Sequence, residues 1–289
     1  MQRFKDILVL CDEESDSRPA LLRALRMAKA NLAKVTLLGV VTPSPEEIDR
    51  LVASIHQGRT VTNTGQLRTY HESRLNDLAG MLRDAGVETD IMLLNGSDRS
   101  ELIRHIKTAN YDLLLATLNG RGAMVELLVQ SNQVELLHAS PCSVWLIKDT
   151  DAAAAREVLI AVDAGPQTPA QSAVNTMVTQ LASSLAKIDS ANLHIVNLRH
   201  ALEVARLDDD AMSDVDGANI QDINTLDIEA VMEYVSGNHI DTIVVGADFG
   251  HDGPKPQEES TFQVILNQAR CSVIAVKPPG PQGSVASTT

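Results

Sequence analysis

The chain has 289 residues, a net charge of −14 and a pI near 4.9, a balance that repels nucleic-acid phosphates and anionic membrane surfaces, with no Lys/Arg cluster to oppose it. Nucleic acid and membrane are therefore excluded as partners. Apolar residues make up 44% and aromatics only 2%, so the cores are built from Leu, Val, Ile and Ala, and the length suggests two domains rather than one.

Phe4 to Cys11 is a β-branched and leucine run that ends at Asp12, followed by a polar turn and an amphipathic helix from Pro19 to Asn31. Lys34 to Val41 forms a second strand. Ser44-Pro45-Glu46-Glu47 offers an N-cap, a first-turn proline and an acidic third position, the start of a helix with Ile48, Leu51, Val52 and Ile55 on one face. His56 to Gly65 has no period and reads as an exposed loop. A helix from Gln66 to Ala85 closes at Gly86, a strand runs from Val87 to Leu94, and Asp98 caps a helix carrying Leu102, Ile103 and Ile106. Tyr111 to Ala116 is the fourth strand, Ala123 to Ala139 a helix and Ser143 to Ile147 the fifth strand.

Strands and helices alternating at this spacing indicate an α/β fold with a doubly wound parallel sheet. The closing stretch then recurs. HASPCSVWLIK, ending at Lys148, returns as QARCSVIAVK, ending at Lys277, and both Cys142 to Cys271 and Ser131 to Ser260 are shifts of 129 residues. The first strands, ending at Asp12 and Asp163, are 151 residues apart, so the second copy is 22 residues shorter. The loss falls between the strand Asn192 to Leu198 and the helix Leu226 to Ser236, where an acidic segment spanning 207–227 and a strand near Ala218 to Ile223 replace two helices. The expected organisation is domain 1 over 1–148, a linker over 149–156, a trimmed domain 2 over 157–277 and a disordered tail over 278–289.

Cys11, Cys142 and Cys271 each sit in or beside a strand-like run and read as buried thiols of a reducing cytosol. The first apolar run is too short for a signal peptide and no stretch is long enough for a membrane helix, so the expected location is cytoplasmic. The eight histidines form no metal-binding pair, and a calcium loop aligned on Asp214, Asp216 and Gly217 would begin at Met212 and end at Ile223, neither of them a calcium ligand. No nucleophile elbow or P-loop is present.

In such a sheet ligands bind beyond the carboxyl ends of the strands, at the switch point. In the first copy that crevice is bordered by Asp12, Val40 and the loop Thr117 to Gly122, with Ser131 folding back toward it. Plain alternatives stand beside this reading: Asp12 and Asp163 as cap residues, Ser131 and Ser260 as polar helix positions.

Together, ILVLCD and VLIAVD, the glycine-bearing loop with its distant serine, and the Cys-Ser-Val endings resemble the universal stress protein family, here as a tandem pair. That resemblance implies two Rossmann-like, five-stranded domains of the adenine nucleotide alpha hydrolase-like group. Members that bind ATP carry two spaced glycines, then a third followed by Ser or Thr, in which bare backbone lies against phosphate. The equivalent positions here are Thr117, Gly120, Gln130 and Ser131 in the first copy, and Gly246, Phe249, Glu259 and Ser260 in the second. Gln130 places a side chain where phosphate would lie, and Glu259 adds a repelling charge.

The resemblance thus implies a non-enzymatic stress-response protein with degenerate ATP motifs, acting through a small molecule or a protein partner. Domain 2, with Asp163, Gly246 and Ser260, is vestigial on this reading. A nucleotide-responsive alternative places ATP or AMP in domain 1 among Asp12, Val40, Gly120, Arg121 and Ser131. A further alternative is a hydrolase or transferase acting on an adenylated substrate. The resemblance also implies that the fifth strands of the two domains meet, and that two tandem chains assemble as a homodimer.

Overall fold

The computed structural model describes residues 4–11, 17–41, 63–95, 99–117, 140–148, 154–163, 169–198, 219–221, 228–246, 265–266 and 268–277. The chain divides into two compact units, residues 4–136 and residues 137–289.

The N-terminal unit comprises β1 (Asp6–Cys11), α1 (Arg18–Asn31), β2 (Lys34–Val41), α2 (Asn63–Asp84), β3 (Thr89–Asn95), α3 (Arg99–Thr108) and β4 (Leu113–Thr117). Its strands are all parallel, in the order β3-β2-β1-β4. All of β4 and all of β1 except Asp6 are buried. This explains their unbroken apolar runs, since a parallel strand covered on both faces has no solvent side to alternate with. The α2 helix starts at Asn63, inside the segment expected to be a loop. Once Leu75, Ala79 and Leu82 are buried against the sheet, extending the helix backwards costs little, even through Gly65.

The C-terminal unit comprises β5 (Ser143–Ile147), β6 (Glu157–Asp163), α4 (Pro169–Asp189), β7 (Asn192–Leu198), β8 (Asn219–Gln221), α5 (Ile228–Gly237), β9 (Thr242–Gly246) and β10 (Ser272–Val276). The order is β5-β10-β9-β6-β7-β8, parallel throughout except that β5 runs antiparallel to β10. The fifth strands of the two repeats therefore do meet, and β5, which ends the first repeat, lies in the compact unit of the second. The sequence pattern named no helix at α4. Its buried Val174, Val178, Leu181, Ala182 and Leu185 fall at helical spacing, with the buried Thr179, Ser183 and Ser184 between them blurring the stripe.

Two devices recur. An aspartate just before the fourth strand of each repeat anchors the start of the first. Asp112 Oδ2 accepts from the backbone N–H groups of Lys5 at 2.6 Å and Asp6 at 3.0 Å, and Asp241 Oδ2 from those of Arg156 at 2.6 Å and Glu157 at 3.1 Å. Four helices also close in the same way. Leu32, Gly86, Ser190 and His239 all take left-handed backbone angles. In each case the next residue donates its N–H to the carbonyl five positions back: Ala33 to Ala28, Val87 to Leu82, Ala191 to Ala186 and Ile240 to Val235.

The β5–β10 ladder is built symmetrically. The Lys148 N–H donates to Ser272 Oγ and the Lys277 N–H to Ser143 Oγ, both at 3.3 Å. Lys277 Nζ donates to the Ser140 carbonyl at 2.8 Å, while Lys148 Nζ donates to the carbonyls of Leu266 and Ala269. Burial pushes the Lys277 amine down to about 8, against a partial upward pull from Cys142, and lowers that of Lys148 as well.

Replacing Leu32, 86% exposed with φ 52°, by glycine should stabilise the chain by about 0.5–1 kcal/mol in urea titration, since a left-handed β-carbon is strained and this side chain covers nothing. Between pH about 8 and 10.5 the unfolded chain holds a proton at Lys277 that the folded chain has released. The contribution of this group to stability should therefore rise with pH across that window, opposed above about pH 9 by the raised Cys271 thiol, and the slope of stability against pH should become less positive in Lys277→Met.

Candidate functional site

In the N-terminal unit β1 is the first strand laid down, β2 adds on one side and β4 on the other, so the topological switch point lies at the carboxyl ends of β1 and β4. The register that pairs Leu10 with Ala116 brings Cys11 and Thr117 to this edge. Thr117 is 4% exposed and its hydroxyl has no hydrogen-bond partner among the described residues. Ser17, 2% exposed, is the N-cap of α1; its side chain makes no cap hydrogen bond and its hydroxyl also lacks a partner among the described residues. Two buried hydroxyls without partners among the described residues, each costing about 1–3 kcal/mol if left so, thus belong to the carboxyl end of β4 and to the start of the helix that follows β1. A third, on Ser183, lies fourteen residues into α4 of the other unit, roughly 20 Å along the helix from its start.

Val40, the other described border residue, is half-buried near the end of β2, where it pairs with Leu94. Asp12, Gly120, Arg121, Gln130, Ser131 and Ser260 lie outside the described residues, as do Phe249 and Glu259, the Ser44 and Asp98 caps, and the acidic segment apart from β8. Asp163 ends β6, where its backbone pairs with Leu198.

Gly246 ends β9 at the equivalent place in the C-terminal unit. A β-carbon there would stand 2.6 Å from Val174 Cγ1 and 3.8 Å from Val178 Cγ2, both on α4. The glycine allows close helix-to-sheet packing, which accounts for its presence without any phosphate.

Other polar groups lie at the opposite, amino ends of the strands. His194 links Tyr234 OH through Nδ1 at 2.8 Å to Glu157 Oε2 through Nε2 at 2.9 Å, and Asn192 Nδ2 donates to Glu157 Oε1 at 2.8 Å. Burial pushes the Glu157 carboxyl up, but the hydrogen bonds from His194 and Asn192 outweigh it and hold the group below its usual range. In the N-terminal unit His105 Nε2 and Tyr111 OH are 3.1 Å apart. These chains join strand starts to helices and are internally satisfied. Among the described residues no group of three His, Cys, Asp or Glu is placed to hold a metal ion, and no helix is long and apolar enough to cross a membrane.

Sequence reasoning passed over Ser17, Asp112, Asp241 and the two strand-end lysines. The 129-residue repeat offset connects Asp112 to Asp241 and Lys148 to Lys277, and was the signal available for them.

The model of the universal stress protein family matches residues 3–148. Universal stress protein E of Escherichia coli K12 is 20% identical over 304 aligned positions, covering 96% of this chain and 95% of that protein. Universal stress protein E of Photorhabdus laumondii is 22% identical over 200 positions, 68% of this chain and 63% of that protein. In fold, the chain resembles a crystal structure of a putative universal stress protein from Pseudomonas aeruginosa, with TM-score 0.69, 17% identity and coverage of 96% and 94%.

Gly246→Ala should destabilise the protein by about 1–3 kcal/mol, and Val174→Ala in the same chain should recover much of that loss. A double-mutant cycle by denaturant titration tests this; additive effects would place the strain elsewhere.

Proposed function

Because the chain belongs to the universal stress protein family, as a tandem of two such repeats, we propose that it serves the stress response without catalysis. On this reading it binds a small molecule or a protein partner at the carboxyl edge of β1 and β4. The observation that carries the proposal is the pair of buried, unpartnered hydroxyls on Ser17 and Thr117 at the edges of that crevice. A ligand oxygen or amide would satisfy both and remove a cost that closed packing leaves in place. The second repeat supports an asymmetric division of labour, since its glycine at the matching position serves α4. Its role in this reading is structural, with a vestigial site at Asp163, Gly246 and Ser260. Two tandem chains pairing in the cytoplasm complete the proposal.

A second reading rests on the same edge. Thr117 and Ser17 can donate to a phosphate as readily as to any other oxygen, and the N-terminus of the 14-residue helix α1, which has no acidic residue in its first turn, favours an anion. Domain 1 would then be an ATP- or AMP-responsive switch, with Asp12, Gly120, Arg121 and Ser131 supplied by the segments around it.

Calorimetric titration with ATP and with AMP separates the two. No heat at millimolar nucleotide leaves the first reading standing. Saturable binding that weakens about 5- to 10-fold in Thr117→Val, through loss of one or two hydrogen bonds, supports the switch. Phosphate or pyrophosphate released from ATP and magnesium at a rate that follows protein concentration would overturn the non-catalytic proposal.

A further inference from the structure

At each end of the β5–β10 ladder a lysine stands opposite a cysteine. The register pairs Val273 with Leu146 and Ala275 with Val144. Carried past each end, it sets Lys148 against Cys271 and Lys277 against Cys142. Opposed Cα atoms in an antiparallel ladder are about 4.5–5.5 Å apart, a gap that a lysine side chain can close on a thiol. In one pair Ser140 anchors both groups: its carbonyl accepts from Lys277 Nζ at 2.8 Å, and its hydroxyl lies 3.3 Å from Cys142 Sγ. In the other pair Lys148 Nζ is held by the carbonyls of Leu266 and Ala269, and Ala269 has no hydroxyl to offer Cys271. Both cysteines are buried and neither is in a disulfide, while both lysines keep partial exposure.

Burial shifts a group in each pair. Burial brings the Lys277 amine to about 8, so an appreciable fraction carries no proton near neutrality and is nucleophilic. Burial pushes the Cys271 thiol up to about 12, against the pull of Lys148, so that thiol keeps its proton and can give it away. Lys277 supplies the more nucleophilic amine in one pair and Cys271 a protonated thiol in the other, where burial also lowers the Lys148 amine; an amine set opposite a thiol suits an electrophile that needs one nucleophile first and a proton with the second.

We propose that the two cross-strand pairs, Lys277 with Cys142 and Lys148 with Cys271, are capture sites for small aldehydes, each closing a sulfur–carbon–nitrogen bridge between β5 and β10. The amine lone pair attacks the carbonyl carbon, the C=O electrons move to oxygen, and a proton passes from nitrogen to that oxygen. The nitrogen then expels the hydroxyl as water, taking the second amine proton with it, and leaves an imine. The thiol sulfur adds to the imine carbon, the C=N electrons return to nitrogen, and the thiol proton follows them. One amine, one thiol and one aldehyde become one bridge and one water, with no oxidant or reductant. The product is a covalent staple at the end of a ladder otherwise held by hydrogen bonds.

The test exposes the full-length folded chain to dilute carbon-13 formaldehyde and identifies adducts by peptide mass spectrometry. The expected products join the peptides containing Cys142 and Lys277, and those containing Cys271 and Lys148, each pair heavier by one added carbon. They should form at least about tenfold faster than adducts on the other six lysines, none of which stands opposite a cysteine in this ladder. The Cys142–Lys277 bridge should lead, because Ser140 holds both of its groups. Cys142→Ala should abolish that bridge and leave the other unchanged. Should this variant fold poorly, the wild-type chain in urea provides the control: unfolding should erase the selectivity. Adducts spread evenly over the lysines, Lys277 modified without Cys142, or bridging as fast in urea as in the folded chain would each overturn the proposal.

Discussion

The antiparallel pairing of β5 with β10 is the constraint on which the C-terminal unit depends. Cys-Ser-Val, three apolar residues and Lys form a self-complementary word. Laid against a copy of itself in this register, it puts cysteine opposite lysine at both ends and serine beside the lysine N–H at both ends. Every residue of β5 and β10 is buried, and Trp145, at 1% exposure, is the largest buried side chain. Either strand alone would be an open apolar edge inviting a foreign partner. Pairing the two satisfies both, and duplication of the sequence supplies the partner within one chain. The lysines carry the cost of this closure, since each keeps an amine half-buried to hold carbonyls that would otherwise lack donors.

A contrast follows between the two ends of the strands. At the amino ends the repeats agree: Asp112 and Asp241 bind the same two backbone N–H groups with the same oxygen, at distances within 0.1 Å of each other. At the carboxyl ends they part. Thr117 brings a buried hydroxyl to the switch point, whereas Gly246 brings no side chain because Val174 occupies the space. A fold is held by contacts that tolerate little change, and a site is free to drift once its ligand is no longer shared.

Much of this frame was legible in the sequence. β2, β5 and β7 fall on the expected residues because continuous apolar runs bounded by polar turns have few other readings. Helix α4 carries a stripe at Val174, Val178, Leu181, Ala182 and Leu185, but the small Ser, Thr and Ala residues around it blur the contrast with a polar face. The start of α2 differs from the pattern for another reason: local polarity favours a loop, and the burial of Leu75, Ala79 and Leu82 about three turns later overrides it. The glycine at 246 was visible as a letter but not as a packing device, since the atom that requires it belongs to a helix more than 70 residues earlier. Ser17 carried no motif at all; only burial makes its hydroxyl conspicuous.

Buried polarity is settled differently at the two ends of the strands. In the C-terminal unit the Tyr234, His194, Glu157 and Asn192 chain closes on itself, each group meeting another at 2.8–2.9 Å. Such a chain rigidifies the strand starts and has no need of a ligand. In the N-terminal unit the hydroxyls of Ser17 and Thr117 remain unmatched at the end of the sheet where loops meet helix starts. Unmatched groups of this kind persist in a folded chain when something outside it completes them, or when strain there is useful. A search for a ligand therefore starts at the first repeat, and the second is understood as the half that supplies β10, and with it the partner that β5 requires.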